Sequence, residues 1–234
     1  MFQSFYDSPV QHPWALLIVP ALFLWQLRGE QGRLARIWRI FTVLSMADAL
    51  CTGPLVQLLS MSPGAAQAVA IFFVILGDLR WFFFHEFFKS PPARSVAFLP
   101  RSLVVATGLS LIVPVAQALL VRAFPEHFAS GRRVFLVYEL LFFSLVLLVF
   151  LPKLRDIRGT ARTFKRDLCL YALTYYGLWA LADVIILAGN DVGFLLRVVP
   201  NQLYYAFFLP FSWSRARRLG LLSDSELGAT PKQA

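Results

Sequence analysis

Long apolar runs alternate with short polar segments along almost the whole chain. A helical run of about 20 residues spans a bilayer, because a helix rises about 1.5 Å per residue. Turn-forming residues separate several of the runs, for example at 62–64 and 189–191. The pattern predicts an all-α integral membrane protein with seven transmembrane helices, at about 10–27, 38–60, 65–88, 99–123, 132–152, 167–189 and 192–213.

Composition agrees with the membrane class. The chain has 234 residues, of which 58% are hydrophobic and 15% are charged, and its mean hydropathy is +0.65. A soluble fold of this length could not bury that much apolar surface. We therefore predict one transmembrane domain over residues 1–222, followed by a polar, disordered cytoplasmic tail over residues 223–234.

The basic residues predict an orientation. The net charge is +9, and 17 of the 22 Lys and Arg residues lie in the segments after predicted helices one, three, five and seven. The opposite segments hold only Arg122, Arg132 and Arg133. By the positive-inside rule, the N-terminus is outside and the C-terminus is cytoplasmic. Basic residues placed between apolar runs indicate membrane orientation, so no nucleic-acid partner is predicted.

Short matches between the two halves of the chain suggest an internal repeat. Residues 23–28 resemble residues 150–155, and the helices that follow share Ala-Asp at 47–48 and 182–183. A looser match sets residues 79–84 against residues 203–208. The order predicts two parallel three-helix units joined by the fourth helix, a 3+1+3 plan, with chance similarity between apolar segments as the alternative.

Polar residues at similar depth in five helices form the candidate site. An ionisable side chain in the middle of a membrane helix costs several kcal/mol and is a functional candidate by default. The central example is the pair Asp78 and Arg80, which helical geometry places on different faces, so that Arg80 should pair with Asp48 or Asp183 on a neighbouring helix. The predicted ligand- or proton-binding residues are Asp48, Asp78, Arg80, Trp179, Asp183, Asn201, Gln202 and Tyr205, with Glu139, Tyr176 and Arg197 as secondary members.

The charges of this set favour a proton or a cation as ligand. Four acids, namely Asp48, Asp78, Glu139 and Asp183, face two arginines, Arg80 and Arg197, within the predicted spans. Burial favours the neutral form of a carboxyl group, so such a cavity would be electronegative or protonated. The alternative is structural, because polar groups in membrane helices also hold helices together.

The sequence has no residue pattern typical of a metal or retinal site. Cys51 and Cys169 lack the spacing of a zinc site or a disulfide framework, so no metal is predicted. A covalent retinal, as in the seven-helix microbial rhodopsins, requires a lysine in helix seven, and residues 195–213 contain none. In length and in the 3+1+3 plan the chain resembles SWEET-type sugar transporters and vitamin-precursor transporters. It lacks their paired Pro-Gln and Trp-x-x-Trp motifs, so no family is assigned.

These observations favour a small seven-helix transporter or permease for a small polar or cationic solute, with proton coupling as an option. One alternative is an intramembrane enzyme that modifies lipids with paired aspartates. Another is a membrane sensor or interaction protein that signals through its basic cytoplasmic loops. The expected partners are the lipid bilayer and an unknown small solute or lipid, and a homo-oligomer is compatible with the sequence. In a bacterium the expected location is the inner, or cell, membrane.

Overall fold

The computed structural model describes residues 1–30, 32–51, 60–88, 98–128 and 130–222. Within these ranges the chain is entirely helical and has no strand, as the apolar pattern predicted. The predicted tail at 223–234 lies outside the described residues, as do residues 52–59 of the predicted second membrane helix and most of the connection between the predicted third and fourth helices.

Eight helices are labelled here in chain order. Three of them contain a π-helical turn, in which the backbone hydrogen bond spans five residues instead of four. Their bounds are α1 Phe2–Tyr6, α2 Val10–Leu27, α3 Arg33–Cys51, α4 Pro63–Phe87, α5 Phe98–Ser110 continued by Ile112–Ala123, α6 Gly131–Asp156, α7 Gly159–Leu187, and α8 Val192–Arg218.

Five helices in the described part of the chain are long and apolar enough to cross a membrane: α2, α5, α6, α7 and α8. The predicted bounds of the first and fourth spans match α2 and α5. Helix α7 begins at Gly159, eight residues before the predicted start. Its first turns are amphipathic, with Ala161 and Phe164 buried beside exposed arginines, so an apolar-run criterion misses them. The seven-span count and the orientation stay predictions.

Prolines account for the irregular places in α5 and α8. Pro114 has no N–H to donate to the carbonyl of Ser110, and the first segment of α5 ends at Ser110. In α8, the π-helical turn Gln202–Phe207 lies between Pro200 and Pro210. Helix α5 is therefore interrupted just before Pro114, and the π-helical turn of α8 begins two residues after Pro200.

The chain packs as two units. Unit 1 comprises Met1–Asp7 with Ile71–Pro200, and unit 2 comprises Ser8–Ala70 with the chain from Asn201 onward. Neither unit corresponds to one of the predicted three-helix repeats, because each takes segments from both halves of the sequence. The 3+1+3 repeat therefore stays a prediction.

The core of unit 1 is rich in aromatic rings from α4, α6 and α7. Phe82 packs against Phe142 and Phe150, with ring centroids 5.5 Å from each. Trp81 is buried, and its indole Nε1 donates to the carbonyl of Leu168 on α7 at 3.1 Å. The Phe-rich end of α4 is buried packing surface.

Unit 2 has its own aromatic centre. Trp38 of α3 and Trp213 of α8 pack edge to face, with ring centroids 5.2 Å apart, and Trp38 Nε1 donates to Ser212 Oγ at 2.9 Å. Both tryptophans are buried, whereas Trp14 is 63% exposed. Trp38 and Trp213 are therefore core residues and do not form an aromatic belt at the membrane surface, which is the usual place of tryptophan at a helix end.

Gly193 lets the start of α8 approach α7 closely. A Cβ atom at this position would lie 2.6 Å from the backbone oxygen of Ala182 and 2.6 Å from Ile186 Cγ1. Any larger residue would force the two helices apart. The contact matters for the candidate site, because Asp183 follows Ala182 and Arg197 lies one turn after Gly193.

Candidate functional site

Asp78 lies at the centre of a buried hydrogen-bonded group in unit 1. It is 1% exposed, and each of its two carboxylate oxygens accepts a hydrogen bond from a tyrosine hydroxyl. Tyr138 of α6 donates to Oδ2, and Tyr176 of α7 donates to Oδ1. Three helices, α4, α6 and α7, therefore supply polar groups to one point.

Aromatic rings surround this group. Tyr176 stacks on Phe142 with ring centroids 4.2 Å apart, and Trp179 packs against Tyr176 at 5.6 Å. These ring contacts hold Tyr176, one of the two tyrosines that donate to Asp78, in place between α6 and α7.

A second buried polar group lies in the same unit around Arg197 of α8. The single nitrogen Arg197 Nη1 contacts both Glu139 Oε1, at 3.2 Å, and Asp183 Oδ1. One nitrogen reaches both acids, so the carboxylates of α6 and α7 lie next to each other. Their remaining oxygens, Glu139 Oε2 and Asp183 Oδ2, are buried without a hydrogen-bond partner among the described residues.

Arg132 joins this group. Its Nη1 lies 3.4 Å from Asp183 Oδ1, and its guanidinium lies 5.3 Å from the ring centroid of Phe194. The sequence placed Arg132 in an outer loop and did not count it as part of the site. Because Arg132 enters the cluster, two arginines accompany the two acids Glu139 and Asp183. The cluster therefore has no excess of negative charge.

Arg80 is buried and interacts electrostatically with Asp78, Tyr171 and Tyr175. The expectation that Arg80 pairs with Asp183 is wrong, because Asp183 forms its ion pairs with Arg197 and Arg132. Asp183 reaches Arg132 of α6 and Arg197 of α8 because both helices lie beside α7, which spacing within one helix does not reveal.

The remaining predicted residues belong to unit 2. Asp48 and Asn201 are buried there, and Gln202 and Tyr205 are partly buried. Tyr205 packs edge to face with His12 at a centroid distance of 6.3 Å. These four residues are thus in a different unit from Asp78, Arg80, Glu139, Tyr176, Trp179, Asp183 and Arg197, and their role in a common site stays a prediction.

Besides Arg132, two members of the buried groups, Tyr138 and Tyr6, were not predicted from the sequence. Tyr138 carries a signal that could have found it, since it precedes Glu139 at the same depth of α6. Tyr6 of α1 has no such signal. Its hydroxyl accepts a hydrogen bond from Arg197 Nε at 3.4 Å, and its ring packs against Phe194 at 6.0 Å.

The described residues do not include a set of side chains arranged to bind a metal ion. No group of three or more His, Cys, Asp or Glu side chains that could hold a metal ion occurs among the residues described. His85 and Glu86 are both buried, with His85 Nδ1 3.8 Å from Glu86 Oε1. His85 stacks on Trp81 at 5.3 Å, which makes it part of the aromatic core.

The turn before α8 anchors α1. Asp191 accepts hydrogen bonds from the amine of Met1 at 2.9 Å, from the backbone N–H of Phe2 at 2.7 Å and from that of Gln3 at 3.2 Å. The bond from the amine, followed by the bond from Phe2, lowers the pKa of Asp191 below its usual value of 3.8. The anchoring therefore depends on the ionised carboxylate.

We expect acid to release α1. A carboxyl group with a lowered folded-state pKa contributes stability above its unfolded pKa, and that contribution is lost as the pH falls through the folded value. Hydrogen exchange at Phe2 and Gln3 should therefore accelerate, relative to intrinsic rates, as the pH drops below 3.8. In Asp191→Asn the acceleration with falling pH should disappear. Equal pH dependence in both proteins would contradict the anchoring role.

No protein-family model, no curated protein and no solved structure matches the chain. The function is therefore inferred from the residues and their geometry alone.

Proposed function

We propose that the protein is a seven-helix membrane transporter or permease for a small polar solute, with Asp78 as its proton-binding residue. The N-terminus faces outward and the C-terminus inward, in keeping with the distribution of basic residues. Five helices long and apolar enough to cross a membrane support the membrane assignment.

The arrangement of Asp78 with two tyrosine hydroxyls is the observation that carries the proposal. A hydroxyl both donates and accepts hydrogen bonds. When Asp78 is ionised, Tyr138 and Tyr176 donate to it. When Asp78 takes up a proton, one hydroxyl can rotate and accept the hydrogen bond from the new O–H. The site thus accommodates both protonation states of a buried carboxyl group, which proton coupling requires.

Asp183 is a poorer candidate for this role. Its partners are the guanidinium groups of Arg197 and Arg132, which only donate hydrogen bonds and stay charged. Protonation of Asp183 would remove the anionic acceptor of Arg132 and leave Arg197 with Glu139 alone. We assign Asp183, Glu139 and Arg197 to holding α6, α7 and α8 together, and Asp78 to proton binding.

The charge balance points to a polar solute and away from a cationic one. In unit 1 the three acids Asp78, Glu139 and Asp183 are accompanied by Arg80, Arg132 and Arg197. A site without excess negative charge offers no electrostatic preference for a cation. Tyr176, which donates to Asp78, and Trp179, which packs against Tyr176, are the side chains proposed to contact the solute.

The test is proton movement in liposomes reconstituted with the full chain and loaded with a pH-sensitive dye. Unlabelled amino acids, sugars and nucleosides are added outside, one at a time, and the internal pH is followed. We expect at least one solute to drive proton movement. In Asp78→Asn the solute-driven signal should fall at least a hundredfold, because the amide does not titrate.

A matched control is Asp156→Asn, which makes the same substitution at an exposed position at the end of α6. This variant should keep the wild-type signal. Proton movement that persists unchanged in Asp78→Asn would refute the assignment of the proton site. Absence of any solute-driven signal in the wild-type protein, with intact folding, would refute proton coupling.

The enzyme hypothesis with paired aspartates has less support. Asp78 and Asp183 belong to separate hydrogen-bonded groups, and the acids that lie side by side, Glu139 and Asp183, are both engaged by Arg197. Loss of a lipid-modifying activity on Asp78→Asn, without any proton movement in the wild type, would favour it.

A further inference from the structure

Exposed basic side chains are concentrated where α6 ends and α7 begins. Lys153, Arg155, Arg158 and Arg162 are exposed, and none has a side-chain partner in the part of the chain that the structure describes. These four residues are called the basic junction below. The nearby Arg166 is paired with Asp167 at 3.5 Å. Among the described residues, the junction therefore presents four cations whose adjacent acid is Asp156.

Packing holds these side chains outward. On α7 the buried residues Ala161, Phe164 and Leu168 face the core of unit 1, and at the end of α6 the side chain of Leu154 is buried. Arg158 has an extended backbone and lies just before the first residue of α7, and Arg162 is at an exposed position in the first turn of the helix, next to the buried Ala161. The buried residues of these two helix ends therefore leave the basic side chains on the surface.

The same two helices carry exposed leucines at a short distance from the junction. Leu148 of α6 is 69% exposed and Leu170 of α7 is 49% exposed. At about 1.5 Å per residue, these leucines lie roughly 10 Å along their helices from Arg155 and Arg162. Both helices are candidate membrane spans, so the leucines belong to the acyl-chain region when the helices cross a bilayer.

We propose that the basic junction binds the phosphate headgroups of anionic phospholipids, whose acyl chains lie against Leu148 and Leu170. A phospholipid has its negative charge directly beyond its apolar chains, which is the order of charge and apolar surface along α6 and α7. Arginine matches phosphate oxygens with paired donors, and basic residues next to a membrane span attract anionic lipids. A soluble acidic protein would satisfy the arginines but not the exposed leucines.

The test compares lipid binding by the full chain in detergent micelles, using fluorescent phosphatidylglycerol as the probe and phosphatidylcholine as the neutral competitor. We expect unlabelled phosphatidylglycerol, but not phosphatidylcholine, to displace the probe. Arg158→Gln combined with Arg162→Gln should weaken binding about thirtyfold, since each basic residue near an anionic surface contributes about one factor of five to ten. Binding should also weaken as salt is raised.

The matched control is Arg122→Gln combined with Arg133→Gln, which removes the same charge from two exposed arginines near the other ends of α5 and α6. This variant should bind within threefold of the wild type. Equal weakening in both double variants, or equal displacement by phosphatidylcholine, would overturn the proposal. Displacement by soluble glycerol phosphate at the same concentration as by phosphatidylglycerol would also overturn it, because that result describes a phosphate site without a lipid. If the protein with Arg158→Gln and Arg162→Gln does not fold, the competition between phosphatidylglycerol and phosphatidylcholine for the wild-type protein still tests the proposal.

Discussion

Replacing Arg197 by glutamine should lower the free energy of unfolding by about 3–5 kcal/mol, the usual cost of removing one partner from a buried ion pair. The side chain bridges Glu139 and Asp183 through one nitrogen, and all three residues are buried. Without the guanidinium, Glu139 loses its ion-pair partner. Asp183 keeps only the contact with Arg132 at 3.4 Å. The measurement is equilibrium unfolding in mixed micelles, followed by circular dichroism.

A compensating substitution distinguishes charge from packing. Adding Glu139→Gln to Arg197→Gln removes the unpaired carboxylate, so the double variant should be more stable than Arg197→Gln alone. Arg122→Gln, at an exposed position, should change the stability by less than about 0.5 kcal/mol. If Glu139→Gln further destabilises the Arg197→Gln protein, the ion pair does not govern this contact.

Removing both tyrosine hydroxyls from Asp78 should cost about 3–5 kcal/mol. Hydrogen bonds to a charged group contribute about 1.5–3 kcal/mol each. In Tyr138→Phe with Tyr176→Phe, both oxygens of a buried carboxylate lose their donors, while the rings and their packing stay. Each single variant should lose about half of the total. The same unfolding measurement checks these values.

The cycle with Asp78→Leu identifies the partner of the hydroxyls. In the Asp78→Leu background the hydroxyls have lost the acceptor, so Tyr138→Phe and Tyr176→Phe should cost less than in the wild type. An identical cost in both backgrounds would mean that the hydroxyls act on some other group. The single variants should also weaken the solute-driven proton signal, because the remaining hydroxyl must then serve both protonation states of Asp78.

Only part of the candidate site could be predicted from the sequence. A carboxylate within an apolar run is conspicuous, so Asp78, Asp183 and Glu139 could be found by position alone. Their partners could not. Helical spacing shows which residues share a face, but it does not show which helix lies opposite that face. Of the two partners expected for Arg80, Asp48 or Asp183, the second is wrong for this reason. Arg132, at the first residue of a predicted span, was counted with the outer loop.

The sequence by itself determined the class of the protein, since length and hydropathy of a run decide whether a helix can cross a bilayer, and both are local properties. It also predicted the bounds of the candidate spans α2 and α5. The prolines that lie at the irregular places of α5 and α8 are visible in the sequence as well. Only the tertiary structure decided that Tyr138 and Tyr176 hold Asp78, that two arginines neutralise Asp183 and Glu139, and that the Phe-rich end of α4 is core. These outcomes depend on which helices are neighbours, and contacts between distant residues are not encoded in any single periodic pattern.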